Sequence, residues 1–414
     1  MSNKLDPYMI RKDFPMYQDH NSLFEGKPLV YLDNSATTFK PYCVIEAEEG
    51  YYKNYTANTR RGDYSLAHQA DVAYDNARKR LAQFINAKDP SEVVFTSGDT
   101  FGLNEVAFGL LPQIKAGDEI VLSPSEHASN VLPWFKVAKL TGAFIRYVPL
   151  DEKGEVIPEN LKKVLTLKTK VVALASVSNV MGYAVDVKAL ASLAHSVGAI
   201  YVDDGAQSVP HFKTDVQESN VDFLVFSGHK MCGPTGTGVL YGKKEELEKL
   251  DPLCYGGEMN ARFHSDGYVS FDDLPYRLEA GTQNVAGAIG LAKACDYLEG
   301  IGFDAISEHE KHLRTLAVEG LKKNGNAILY NEGADSGIVT FNIKDVFAQD
   351  VATYLSSKGV FVRSGQHCAK ILPEVLKTQG TVRASFYLYN TEEDVKALVQ
   401  ACSTVEDFLD AYFN

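Results

Sequence analysis

Strand-like and helix-like segments alternate along the first two thirds of the chain, and this alternation constrains the fold more than any other feature. Short runs rich in β-branched and aromatic residues lie at 29–32, 92–96, 119–122, 144–148, 171–175, 200–202 and 223–226. Between them, 66–85 and 186–195 carry Ala, Val and Leu at helical spacing. Strands separated by helices cannot form tight hairpins. They lie side by side in a mostly parallel sheet, with helices on both faces. From about residue 286 the pattern changes. A long helical stretch to 321 precedes short strands at 338–343, 360–363 and 382–385. A chain of 414 residues also exceeds the ~250–300 residues that one core serves. The expected fold is α/β. A large, mostly parallel sheet domain sandwiched by helices spans 28–285, and a smaller α+β domain is built from 1–27 and 286–414.

Charge and cysteine usage exclude several classes of function. There are 41 Lys+Arg and 54 Asp+Glu, a net charge of −13. A surface that acidic repels nucleic acid backbones and anionic membranes, so neither is an expected partner. A pocket can still be locally positive and hold a small anion. Residues 1–19 contain no apolar core of a secretory signal, and no run approaches the ~20 apolar residues that span a bilayer. Cys43, Cys232, Cys254, Cys295, Cys368 and Cys402 are widely spaced, with no C-x-x-C pair. Neither a disulfide framework nor a metal site is expected, and a cytoplasmic location follows.

In an open parallel sheet, ligands bind at the carboxyl ends of the strands. Here those ends read Asp203-Asp204-Gly205-Ala206-Gln207, Ser227-Gly228-His229-Lys230, Ser97-Gly98-Asp99-Thr100 and Ser123-Pro124-Ser125-Glu126-His127. An acid, a lysine, hydroxyls and histidines thus converge on one rim. The set suits pyridoxal phosphate (PLP). Lys230 can hold its aldehyde covalently, Asp204 can face its ring nitrogen, and Thr100, Ser227 and His229 can bind its phosphate at a helix start. A free lysine has a pKa near ~10.4, so such a site must lower it. Gly233-Pro234-Thr235-Gly236-Thr237-Gly238 lacks the Gly-Lys-Ser/Thr of a nucleotide loop and reads as a turn beside the lysine.

Ordered segments from residue 31 onward resemble the class V aminotransferase-like PLP enzymes, and within them the group II (SUF-type) cysteine desulfurases. The matching segments include 31–38, Glu126-His127, Val177-Ser178-Asn179-Val180-Met181-Gly182 and Asp204-Gly205-Ala206-Gln207. They continue through Phe226-Ser227-Gly228-His229-Lys230, Glu279-Ala280-Gly281-Thr282, 362–369 and Arg383-Ala384-Ser385-Phe386. The resemblance implies a fold type I PLP-dependent transferase that converts L-cysteine to L-alanine. It supplies sulfur for iron–sulfur cluster assembly or thiolation through an acceptor or scaffold protein. It implies that Lys230 carries PLP, Asp204 pairs with the ring nitrogen, Gln207 bonds the ring hydroxyl and His127 stacks on the ring. Thr100, Ser227 and His229 would hold the phosphate, with Thr282 reaching in from the second subunit of a homodimer. Asn179 and Arg383 would bind the substrate carboxylate, with Arg363 lining the same cavity, and Cys368 would accept sulfur.

An unperturbed thiol with pKa ~8.5 is only ~3 % thiolate at pH 7, so Cys368 needs local help, and His367 beside it is the expected source. The other five cysteines read as structural, and His20, His264 and His309 as surface residues. Four positions depart from the family pattern. Arg60 stands for a histidine, Asp99 for a threonine in the phosphate turn, and Gln366 for a histidine before the cysteine. The segment 346–350 lacks the histidines of some relatives. Selenocysteine lyase, another class V PLP activity such as transamination, and a non-catalytic PLP-fold scaffold remain as alternatives.

Overall fold

The computed structural model describes residues 5–18 and 22–405. Its main sheet has seven strands, in the order Val93–Thr96, Gly238–Gly242, Phe223–Ser227, Ile200–Asp204, Thr169–Ala175, Glu119–Leu122 and Phe144–Tyr147. Only Gly238–Gly242 runs against its neighbours. The other six share one direction, so their carboxyl ends meet on one edge. Alternate side chains serve two cores, as the period of a strand requires. Phe223 and Val225 pack with Leu103, Val106 and Trp134, whereas Leu224 and Phe226 pack with Leu81, Leu190 and Leu291. This is the helix-sandwiched, mostly parallel α/β sheet that the alternation requires.

Close approach of backbones draws the site-bearing segments together. A Cβ on Gly238 would come within 2.6 Å of both the Gly98 Cα and the Phe226 carbonyl oxygen. Only glycine lets these strands close up beside the start of the helix Asp99–Gly109. The 233–238 segment is a turn against the lysine, with the Gly228 N–H donating to Thr237 O at 2.8 Å and the Gly233 N–H to Gly228 O at 2.9 Å.

The C-terminal part carries a four-stranded antiparallel sheet in the order Ala327–Leu329, Ile338–Ile343, Thr381–Ser385, Arg363–Gly365. Helices Phe303–Asn324, Ala348–Ser357 and Glu392–Ser403 cover it around Leu313, Leu355 and Leu398.

Three expectations need correction. The 29–32 run forms the strand Val30–Tyr31, but it pairs with Val360–Phe361, and Val30 and Leu32 are buried in the C-terminal core. An apolar run marks a strand without specifying its partner. The 286–321 stretch is two helices, Val285–Ile301 and Phe303–Asn324, separated by Gly302 at φ +93°. The first packs Leu291 and Leu298 on the large sheet's core, so the change of core falls near Gly302 and not at 286. The 360–363 run splits into Val360–Phe361 and Arg363–Gly365, which belong to different sheets.

Glu279 anchors the first strand of the main sheet. Its carboxylate takes both Arg78 guanidinium nitrogens, at 2.7 and 2.8 Å, the Phe95 N–H at 2.7 Å and the Tyr74 hydroxyl at 3.1 Å. Both members of the ion pair are buried. Removing one partner strands the other charge, at a cost of about 3–5 kcal/mol. Glu279→Ala should lower the free energy of chemical unfolding by about that amount, and an unchanged denaturant midpoint would contradict this role.

Candidate active site

The carboxyl-end edge gathers the predicted residues. Asp204 closes its strand, and Lys230 ends a single turn, Gly228–Lys230, that follows Phe223–Ser227. Burial is the main force lowering the Lys230 pKa. Arg383 and Arg363 push the same way, while Asp99 and Asp204 oppose them. The lowering expected from sequence is therefore present, with burial as its chief cause. Asp204 is buried, and its carboxylate accepts the Ala206 N–H at 3.1 Å. Burial raises its pKa, with the Lys230 cation opposing.

Around this pair lie groups suited to a planar, phosphorylated ligand. Gln207 donates its amide to Ser35 O at 2.8 Å, leaving Oε1 buried with no partner. The Ser227 hydroxyl accepts the Asp99 N–H at 2.7 Å, at the start of an eleven-residue helix. Thr100, exposed at the same helix start, shares a 2.6 Å hydrogen bond with Ser129. His229 is half-buried, and burial lowers it to about 4, so it is neutral at pH 7.

His127 is oriented by Ser129, which the sequence reading missed. Ser129 donates its N–H to His127 Nδ1 at 3.2 Å, which places the neutral ring's proton on Nε2. Burial, then the Lys230, Arg363 and Arg383 cations, lower this imidazole to about 4. The adjacent Glu126 is buried, bonded to Ser123, Asn130 and the Ala175 N–H, and raised by burial to about 8. It ties the histidine loop to the neighbouring strand.

Residues of the C-terminal half bond to the loops at this edge. Arg383 is buried, bonding Asp33 Oδ1 at 2.9 Å and Asn179 O at 2.9 Å, with Nε left unpartnered. Asn179 donates its amide to His367 O at 2.8 Å and keeps Oδ1 unpartnered. The Ala128 N–H donates to Cys368 O at 2.7 Å. Asp33 was not anticipated; its signal was an acid directly after a strand facing a buried arginine.

His367 does not assist Cys368. Both residues have left-handed backbones, φ +50° and +59°, and their side chains reach different partners. His367 is buried with Nε2 on Thr381 O and Oγ1, at 3.0 and 2.9 Å, and burial lowers it to about 3. The group beside the thiol is Arg363, whose Nη2 lies 3.6 Å from Sγ. Arg363, expected to line the substrate cavity, thus stands beside the sulfur.

Other expected residues lie apart from this cluster. Thr282 is exposed and lines a separate depression with Phe101, Cys254 and Gln283. Arg60, at φ +63°, bonds Asp272 at 2.9 Å and stacks 3.6 Å over the Tyr276 ring. Cys232, Cys295 and Cys402 are buried, whereas Cys254 is exposed, so packing does not account for it. His264 is exposed beside the Tyr268 ring, but His309 is partly buried and bonds Asn390 O at 2.9 Å, which corrects its surface reading. His20 lies outside the described residues. Among the described residues there is no cluster suited to a metal, and no helix is long and apolar enough to cross a membrane.

The aminotransferase class-V family model matches residues 30–398. The chain belongs to the class V aminotransferase family. Two curated relatives are each named "Probable cysteine desulfurase". The protein from Halalkalibacterium halodurans is 45 % identical over 410 residues, covering 99 % of this chain and 100 % of that one. The protein from Staphylococcus aureus strain COL is 44 % identical over 414 residues, covering 99 % of each. Two solved structures are also similar. The cysteine desulfurase CsdA from Escherichia coli has TM-score 0.88 and 38 % identity, covering 99 % of each chain. The apo cysteine desulfurase from Thermococcus onnurineus NA1 has TM-score 0.90 and 38 % identity, covering 97 % of this chain and 98 % of that one.

The environments of the two histidines in this class V enzyme give a direct expectation. In residue-specific imidazole NMR, His127 and His367 should both be neutral at pH 5.5 with the proton on Nε2, and should titrate near about 4 and about 3. Midpoints near the ordinary value of ~6.5 would contradict the described burial.

Proposed function

We propose that this class V enzyme is a PLP-dependent cysteine desulfurase of the SUF type, with Lys230 as the cofactor lysine and Cys368 as the sulfur acceptor. The observation that carries the reading is that buried Lys230 faces both the Asp204 carboxyl and the Arg363 guanidinium, whose Nη2 lies 3.6 Å from Cys368 Sγ. A transaminase has no use for that thiol.

The residues fit the cofactor. Gln207 Oε1 is a buried acceptor that needs a donor, which a ring hydroxyl supplies. Lys230, with its pKa lowered, is suited to attack an aldehyde. Asp204 would face the ring nitrogen, and Thr100, Ser227 and His229 at the helix start would hold the phosphate. When bound, PLP supplies an electron sink for negative charge developing at the substrate α-carbon.

The chain's own residues account for the remaining requirements. Arg383 Nε has no partner, which makes it the donor for the substrate carboxylate, with Asn179 beside it. Lys230 Nζ, once free of its proton, is the base for the α-proton. His127, with its proton on Nε2, would stack on the cofactor ring. Cys368 Sγ attacks the substrate sulfur, with the Arg363 guanidinium within reach of the thiolate. One S–S bond forms and one C–S bond breaks, and the carbon keeps the electron pair and takes a proton. One thiol of L-cysteine and one of the enzyme thus become a persulfide and L-alanine, with no external oxidant.

The persulfide would pass to an acceptor protein for iron–sulfur cluster assembly or thiolation, in a cytoplasmic setting. A homodimer agrees with the exposed position of Thr282, which is free to serve a second copy. The large domain, expected at 28–285, would extend through the helix Val285–Ile301, and the small domain would take the remainder of 286–414 with 1–27.

The test is stoichiometric. L-Cysteine incubated with the PLP-loaded protein should give equal alanine and persulfide, with the persulfide on the peptide containing Cys368. Cys368→Ala should keep bound PLP and lose at least tenfold in alanine formation from L-cysteine. Undiminished sulfur release by that variant would overturn the acceptor role, and activity confined to L-selenocysteine would favour a lyase.

A further inference from the structure

Arg383 is a cation with almost no access to water, at 1 % exposed. Both of its Nη groups are held. Nη2 donates to Asp33 Oδ1 at 2.9 Å and Nη1 to the Asn179 carbonyl at 2.9 Å, while Nε has no partner. Among the described residues, Asp33 is the one carboxylate that pairs with this guanidinium.

The segment that carries Asp33 is tied to the strand that carries Arg383, Thr381–Ser385. The Ser385 N–H donates to Leu32 O at 2.7 Å, the Asn34 amide to Ser385 O at 2.7 Å, and the Ser35 N–H to Ser385 Oγ at 2.9 Å. The Ala36 N–H closes a turn on Asp33 O at 3.0 Å. These bonds fix the backbone of Asp33 relative to the arginine. An arginine fork recognises a carboxylate in its own plane. Bonds at both Nη groups set that plane and leave the Nε edge as the open side.

We propose that Asp33 is a positioning residue, which holds Nη2 and so aims the Arg383 Nε edge at the substrate carboxylate. This rests on the PLP-dependent reading above, in which Arg383 takes that carboxylate. A competing role has the opposite sign. If Asp33 only occupied Arg383 in place of substrate, its removal would tighten carboxylate binding. The unpartnered Nε favours positioning, because a second carboxylate can join there without displacing Asp33.

The experiment is a binding titration of the PLP-loaded protein with L-alanine and with ethylamine, which is the same amine without the carboxylate. The absorbance of bound PLP reports occupancy, so no turnover is needed. It compares wild type, Asp33→Asn and Asp33→Ala. Asparagine keeps an oxygen acceptor for Nη2 and removes the charge that opposes a second carboxylate; alanine keeps neither. Asp33→Ala should raise the Kd for L-alanine by about tenfold or more, the scale of one hydrogen bond to a charged group, with the Kd for ethylamine unchanged. Asp33→Asn should bind L-alanine at least as tightly as wild type. If Asp33→Ala does not fold, Asp33→Glu, which keeps the charge at a longer reach, should show the same selective loss. Tighter or unchanged L-alanine binding in Asp33→Ala or Asp33→Glu, equal losses for both amines, or an Asp33→Asn as weak as these variants would overturn the role of Asp33 alone. A wild type whose bound PLP responds to neither amine would overturn the cofactor reading itself.

Discussion

A lysine ammonium buried at the edge of a sheet is costly unless carboxylates face it. Lys230 meets Asp204 because two parallel strands end side by side, with Asp204 in register with Val225 and Lys230 a few residues beyond. Shared strand direction is what puts both at the same edge. The helix start at Asp99 joins them because Gly98 and Gly238 allow the neighbouring segments to close up. A shift in any of these registers would leave a buried charge without its partner, so fold and site are one constraint.

The second half of the site depends on contacts between segments far apart in sequence. Arg383 spans Asp33 and the Asn179 carbonyl, and the carbonyls of His367 and Cys368 are held by Asn179 and Ala128. These bonds secure a loop whose two left-handed residues would otherwise be unfavourable. The conformation presents Sγ toward Arg363 while turning His367 inward. The sulfur thus meets a permanent cation and not a titrating imidazole.

Much of this was legible from residues alone. Phe223 to Phe226 alternate between two cores, and such buried runs announce strands because every side chain in them is apolar. The lysine, its acid and the histidine were legible because they follow strands directly, where an open sheet places its ligand. What escaped were relations that sequence distance conceals. The partner of the Val30–Tyr31 strand lies more than three hundred residues away, and no local pattern specifies it. His367 looked like the thiol's helper because adjacency along the chain was taken for adjacency in space. Two positive φ angles undo that inference.

The central claim is that Lys230, out of all the lysines in the chain, is the one held as a reactive amine at the cofactor site. It is tested most directly by loading the protein with PLP, reducing it with borohydride and mapping the pyridoxyl group by peptide mass spectrometry. The account predicts modification of Lys230 alone, at one group per chain. Label spread over surface lysines, or concentrated on another lysine with Lys230 unmodified, would contradict it.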